Sequence, residues 1–352
     1  MQEKDLQNIN MLNMMLSKAE SIVITTHMKP DGDALGSSMA MYHFLRMNGK
    51  KSRIVLPHRQ PANIDFLIGE DDRSSIYIYE EGKEEAELAI SSADLIICLD
   101  FNALHRTDRL EPALAGSKAA KILIDHHLNP DKESFNLIFS ETEVSSASEL
   151  LFHILMAMPQ ISHDASRLPA EAATALMTGM TTDTNNFANS VFPSTLRMAS
   201  ALLEAGTDRD MILSMLYNRF SESRLRLMGH MMKDLLTITE DNVAYMVLDR
   251  QTQLKYHVAD GDTEGFVNMP LSIESVRMSI LIKEDEDRLR VSIRSKKGTS
   301  ANRCARLHFN GGGHENAAGG RLLISKDIAS ISDVADYIEK HTHTFMTEEY
   351  EK

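Results

Sequence analysis

Only two cysteines, Cys98 and Cys304, occur in 352 residues, far apart and in apolar strand-like or helix-like surroundings. A disulfide framework and a thiolate zinc site therefore lack material, and the two are read as buried reduced thiols. Long apolar runs are missing as well: no stretch approaches the roughly 18 residues of a membrane span. The start, Met-Gln-Glu-Lys-Asp, has neither the basic opening nor the apolar core of a signal peptide. A cytoplasmic protein with no membrane partner is expected. Positive charge is scarce, with 37 Lys and Arg against 51 Asp and Glu and a net charge of −14. This argues against a protein that coats long nucleic acid through a broad basic face. A small or short anionic substrate stays compatible, provided metal ions or a few arginines concentrate positive charge at one place. The sequence also has no P-loop, no H-E-x-x-H and no G-x-G-x-x-G opening a helix after a strand, so ATPase, zinc-protease and dehydrogenase readings lack support. Internal repeats and low-complexity tracts are absent too.

What is there reads as two folded domains of a soluble globular protein: 43% hydrophobic and 25% charged residues over a length too great for one ordinary domain. Disorder is expected only at the polar ends, residues 1–8 and 346–352. In the first half, short β-rich runs alternate with amphipathic segments, the pattern of a parallel sheet flanked by helices. Strands are expected at Ser21–Thr26, Ser52–Leu56, Asp94–Leu99 and Ala119–Ile124, and a helix at Ala34–Met47. Ser146 with Glu149 resembles a capping box opening a helix to Met158, and Pro169 suits the first turn of a helix to about Thr181. The fold class is α/β: a doubly wound domain over residues 1–195, a helical connector over 196–236, and a smaller α+β domain over 237–345. In the last, strands are expected at Val243–Asp249, Ser275–Lys283 and Leu289–Ser295, with helices at Asn302–His308 and near Ile331–His341. The 22 methionines, scattered at helical spacings, read as core filling.

Open α/β sheets bind ligands at the carboxyl ends of their strands. His27, Asp31 and Asp33 follow the first strand, Asp100 ends the Leu95–Leu99 run, Asp125-His126-His127 ends the Ile122–Ile124 run, and Asp183 ends the Thr174–Thr182 helix. Each alone has a plain explanation: a turn with Asp33 as helix N-cap, capping aspartates, surface histidines. Together they bring carboxylates and imidazoles to one rim, where unpaired carboxylates repel unless cations hold them. Carboxylates with one or two imidazoles and no thiolate suit manganese, with magnesium or cobalt as substitutes. Two such ions about 3.5–4 Å apart, sharing one carboxylate, activate a water for phosphoryl transfer. Phosphoester hydrolysis is the expected reaction.

The runs His27-x-x-x-Asp31-x-Asp33, Asp100, Asp125-His126-His127 and Thr182-Asp183-Thr184 resemble the four motifs of DHH phosphoesterases. That resemblance implies a first metal held by His27, Asp31 and the bridging Asp100, and a second by Asp33, Asp100, His126 and Asp183. It implies that His127 faces the substrate phosphate and that Asp125 orients it. Gly311-Gly312-Gly313-His314, followed by Ala317-Ala318-Gly319-Gly320, resembles the GGGH motif of the DHH-associated C-terminal domain. A glycine run either lets backbone N–H groups approach a phosphate or is a flexible turn. In Arg290-Val-Ser-Ile-Arg294-Ser, period two puts Val291 and Ile293 on one face and Arg290, Ser292 and Arg294 on the other. The family places a substrate-binding arginine at Arg294, whereas Arg290 reads equally well as a solvated edge-strand residue.

Two departures mark this chain. Phe101-Asn102 follow Asp100 where many relatives carry small hydroxyl residues, and Asn185-Asn186 follow Asp183-Thr184 where glycine is common. Within the family the compact two-domain layout most resembles the nanoRNase/pAp phosphatase group. This implies that short RNA oligonucleotides and small nucleotides such as adenosine 3′,5′-bisphosphate are the partners. The alternatives are a cyclic-di-AMP or pApA phosphodiesterase, a RecJ-like single-strand exonuclease, and a non-catalytic nucleotide-binding regulator, the last disfavoured by the complete ligand set. A homodimer is compatible with the sequence.

Overall fold

The computed structural model describes residues 3–259, 261–285 and 288–350. Its contacts divide the chain into two units, Met1–Arg219 and Phe220–Lys352.

The first unit carries six strands, β1 Ile22–Thr25, β2 Ser52–Leu56, β3 Ile76–Ile78, β4 Leu95–Leu99, β5 Ala120–Asp125 and β6 Leu137–Ser140. All pair parallel, in the order β3-β2-β1-β4-β5-β6. Its helices are α1 Glu3–Lys18, α2 Gly32–Met47, α3 Lys83–Ser91, α4 Glu111–Gly116, α5 Ala147–Ala157, α6 Ala170–Asp183, α7 Pro193–Glu204 and α8 Arg209–Tyr217. Successive strand residues feed opposite cores. Ile22, Ile24, Ile97, Leu99, Ile122 and Ile124 join the core with α2, α5 and α6, while Val23, Ile96, Cys98 and Leu123 join one with α3 and α4. Burial on both faces explains why these strands read as unbroken apolar runs. The chain runs outward from β1 to β3 and returns to β4 beside β1, so the topological switch falls between β1 and β4, where such sheets open a ligand crevice.

Helices α2 and α6 cross closely enough to demand glycine. A Cβ on Gly36 would lie 2.6 Å from the Ala175 carbonyl oxygen, and one on Gly32 would collide with the Thr182 side chain. This contact brings the start of α2 against the end of α6, two places where candidate ligands sit.

The second unit holds α9 Glu222–His230, β7 Thr237–Ile238, β8 Val243–Leu248, α10 Arg250–Lys255, β9 Met278–Glu284, β10 Leu289–Ser295, α11 Ala301–His308, β11 Gly312–His314, β12 Ala317–Leu322 and α12 Val334–Tyr350. Its mixed sheet runs β11-β12-β10-β9-β8-β7, with β8 and β9 parallel and the other pairs antiparallel. Val291 and Ile293 pack with Ala301, Cys304 and Ile338 in one core, so α11 and α12 cover that face.

The α/β class and the expected strands are borne out, Ser52–Leu56 and Leu289–Ser295 at both ends and the others with ends shifted by at most three residues. Strands β3 and β6 and helices α1, α3 and α4 were not anticipated. The chain ends read as polar tails are helical from Glu3 and up to Tyr350. The helical stretch 196–236 divides between the units: α7 and α8 lie in the first, α9 and a short π-helical turn Met231–Leu235 in the second. Ser146 does cap α5 through the Glu149 N–H, but Glu149 bonds Ser145 rather than returning to the Ser146 N–H, so the capping box is half formed.

Candidate metal centre

The chain leaves β1 at Thr25 and places His27 on the rim, 8% exposed. The His27 Nδ1–H donates to the Met28 carbonyl (2.8 Å), which turns Nε2 toward the carboxylates, 3.4 Å from Asp100 Oδ2 and 3.8 Å from Asp31 Oδ1. Asp31 is the N-cap of α2, accepting the Asp33 and Ala34 N–H groups at 3.1 Å. The cap is therefore Asp31, and Asp33 lies in the first helical turn. Asp33 is fully buried and accepts the Ala147 N–H (2.6 Å) and the Ser148 N–H (2.9 Å) at the start of α5, where a helix terminus offers unsatisfied donors and positive potential to a carboxylate.

Asp100 follows β4 in a left-handed conformation, φ 63°, anchored by its N–H to the Ile124 carbonyl (3.1 Å). A non-glycine residue there costs about 1–3 kcal/mol and persists where the surroundings over-determine it, often at functional sites. The bend aims its two oxygens apart: Oδ2 toward His27, and Oδ1 to within 3.5 Å of His126 Nε2. Oδ1 is buried and has no hydrogen-bond partner. His126 Nε2 is also 3.3 Å from Asp183 Oδ2 at the end of α6. Next to it, His127 Nδ1 sits 2.7 Å from Oδ1 of the fully buried Asp125, whose Oδ2 accepts the His127 N–H at 3.2 Å.

Three overlapping groups result, each with ligand atoms within 4.8 Å of one another: His27, Asp31 and Asp100; Asp33, His126 and Asp183; and Asp100, His126 and His127. These groups could hold metal ions. The electrostatics point the same way. Burial, with the charges of Asp100 and Asp183, raises the Asp33 carboxyl well above its ordinary range. Burial and the Asp100 charge raise Asp183 to about 7. Burial alone would depress the imidazoles, yet Asp100 and its neighbouring carboxylates outweigh it and lift His27 and His126 to about 9. Burial also opposes the charge on Asp100, but the neighbouring His126 and His27 imidazoles outweigh it and hold it at about 2. Crowded carboxylates, one with an orphaned buried oxygen, are the donor set a divalent cation satisfies.

In the second unit, Arg294 lies on the face of β10 away from Val291 and Ile293. Its half-buried guanidinium donates to the Ile293 carbonyl (3.0 Å) and has no carboxylate partner among the described residues. Burial lowers its pKa, since little around it repays the desolvated charge. Arg290 on the same face pairs with Asp285 at 3.1 Å, on an interior strand, not an edge. The glycine run is a paired strand, not a loose turn. Gly312 and Gly313 form a hairpin strand with β12, the Gly311 N–H is taken by the Ala305 carbonyl (3.1 Å) and the Gly313 N–H by Asn302 Oδ1 (3.0 Å). Glycine is needed for close approach: a Cβ on Gly311 would collide with the Gly319 carbonyl. His314 pairs with Ala317, which pairs on its other side with Arg294; the His314 side chain lies outside the described residues.

Sequence reasoning gave no part in the metal centre to the start of α5, to Gly179 or to Asn102. A Cβ on Gly179 would lie 2.7 Å from Asp33 Oδ1 and inside contact of Ser148 Oγ. The departures from the family pattern also find their places. Phe101 is buried against Phe135, Asn102 reaches the loop after the paired histidines, and Asn185 and Asn186 adopt the positive φ (46° and 57°) that glycine would otherwise supply.

Comparison with known proteins follows the same division. The family model described as "DHH family, N-terminal domain" matches residues 21–180, and the DHHA1 domain model matches residues 240–340. The chain is 30% identical to the bifunctional oligoribonuclease and PAP phosphatase NrnA of Thermus thermophilus, across 86% of this chain and 84% of that protein. It is 26% identical to the protein of the same name from Bacillus subtilis, across 87% and 91%. The crystal structure of an exopolyphosphatase-related protein from Bacteroides fragilis superposes with a TM-score of 0.87 at 36% identity, covering 98% of each chain. With both of its units matched in order and relatives aligned along nearly its whole length, the chain belongs to the DHH family of phosphoesterases and carries the DHHA1 domain.

Proposed function

We propose that this protein hydrolyses phosphate esters of short oligoribonucleotides and of adenosine 3′,5′-bisphosphate, using two divalent metal ions, with manganese the best fit to the donors. The observation that carries the reading is Asp100, which offers one carboxylate oxygen to the His27 group and the other to the His126 group. His27 and Asp31 would hold one ion, and Asp33, His126 and Asp183 the other, with Asp100 shared. Such a pair, when bound, lowers the pKa of a water and clamps the attacking and leaving oxygens. The remaining steps belong to side chains. With Nδ1 engaged by Asp125, His127 can offer only Nε2 to a phosphate oxygen, and the buried Asp125 fixes that orientation. Arg294, half-buried and lacking a carboxylate partner among the described residues, suits a second phosphate of the substrate.

The activities named for the Thermus and Bacillus relatives, on oligoribonucleotides and on PAP, support this substrate class. So does the charge of −14, which weighs against a broad basic face for long RNA. No helix among the described residues is long and apolar enough to cross a membrane.

The test is a manganese-dependent hydrolysis panel of adenosine 3′,5′-bisphosphate, dinucleotides, pApA, cyclic-di-AMP and RNA of about two dozen residues. The expected outcome is a steep fall in kcat/KM as RNA lengthens, with the bisphosphate competing against dinucleotides. Equal kcat/KM on the long RNA would favour a single-strand exonuclease. Preference for the cyclic dinucleotide would favour the phosphodiesterase alternative.

A further inference from the structure

The loop bearing His126 and His127 has little to hold it by packing. Leu128 is 70% exposed, Asn129 is exposed at φ 59°, and residues 130–134 are half-buried or exposed. A loop without buried apolar surface opens easily, and its geometry then depends on its hydrogen bonds. Asp125 holds His127 and Asp131 holds Glu133 and Ser134, but the bonds over residues 128–131 that reach β4 converge on one residue. The Asn102 side-chain amide donates to the Leu128 carbonyl (2.8 Å) and, at the limit of reach, to the Asn129 carbonyl (3.5 Å), while the Asn102 carbonyl accepts the Asp131 N–H (2.8 Å). Asn102 stands two residues after Asp100, so it ties the end of β4 to the loop after β5, the two segments from which Asp100 and His126 approach each other.

From this geometry we infer that Asn102 is a positioning residue, which sets the distance between Asp100 and the His126–His127 pair by clamping the loop over residues 128–131. The inference builds on the metal-centre reading above. Both contacts of the side chain are carbonyl oxygens, so only the NH2 group serves there. An aspartate of the same shape would set a carboxylate against two carbonyls, and a serine is too short to reach them. The neighbouring Phe101 is buried against Phe135, which anchors the bend after Asp100 from which Asn102 reaches the loop.

The experiment compares wild type with Asn102→Asp and Asn102→Ala by hydrogen–deuterium exchange on metal-free protein, together with thermal melting and manganese titration. Exchange across residues 126–131 should accelerate roughly tenfold or more in both variants while the rest of the first unit and the melting temperature hold. Manganese affinity should fall by about 10–100-fold, the range seen when a group supporting a metal ligand is removed. Exchange in 126–131 within about twofold of wild type would overturn the inference. Faster exchange throughout the first unit with a lowered melting temperature would overturn it equally, as the signature of general support. Wild type that binds no manganese would sink the metal-centre reading, while the exchange data would still decide the clamp.

Discussion

Asp33 and Ala147 stand 114 residues apart in the chain and meet in a 2.6 Å hydrogen bond from the Ala147 N–H to Asp33 Oδ2. The other oxygen of Asp33 takes the Ser148 N–H at 2.9 Å, so the first turn of α5 holds this carboxylate from below. Each oxygen retains a further lone pair for a cation.

That arrangement requires Gly179. An alanine there gains up to about 1 kcal/mol of helix preference. Its methyl would be forced against Ser148 Oγ and Asp33 Oδ1, and overpacking of this kind costs about 1–3 kcal/mol. Gly179→Ala should lower the urea midpoint at unchanged slope and weaken manganese binding. A midpoint equal to or above wild type would show that the contact relaxes without cost.

Replacing the shared carboxylate tests the two-ion reading directly. Asp100→Ala should abolish hydrolysis of every substrate, since the oxygens facing His27 and His126 disappear together. Metal analysis of the wild type should give two ions per chain at catalytic strength. Full activity with a single ion would refute the shared role of Asp100.

Arg294→Ala should separate binding from metal loading. Loss of a charge-assisted contact predicts a fall in kcat/KM worth about 1.5–3 kcal/mol. Both metals should remain, because Arg294 belongs to the second unit and the ligand residues to the first. Metal loss with normal substrate affinity would contradict this division of labour.

Glu149 supplies a pH prediction away from the ligands. Burial opposes its charge, but hydrogen bonds from His153, Ser145, Ser194 and Thr195 outweigh it and hold the carboxyl at about 2, below its ordinary 4.5. A group depressed on folding stabilises the folded state above its unfolded pKa, and that contribution drains away as pH falls through the folded value. Glu149→Gln should therefore be less stable than wild type at pH 7, and the gap should narrow as pH falls from about 4.5 toward 2. A urea-midpoint difference independent of pH across that window would show that the carboxylate is not the source.

Much of this molecule follows from local signals that a sequence carries within a few residues. Apolar runs bounded by turns located β1, β2, β4 and β5; period two separated Val291 and Ile293 from Arg294; and strand-end carboxylates and histidines named the candidate ligands. Short elements escaped because three or four apolar residues, as in Ile76–Ile78 or Leu137–Ser140, carry no period of their own and become strands only by pairing with β2 and β5. The glycine run was open between turn and phosphate nest because glycine permits both. A Cβ on Gly311 would collide with the Gly319 carbonyl and one on Gly313 with the Ala317 carbonyl, so these two glycines serve close strand packing. Tertiary structure alone decided that Asp100 bends to face two histidines, that α5 presents its first N–H groups to Asp33, and that Asn102 grips the histidine loop. Each of these contacts joins segments brought together by the sheet order and the close crossing of α2 and α6, and pairing over such separations leaves no periodicity or cap signal in the residues themselves.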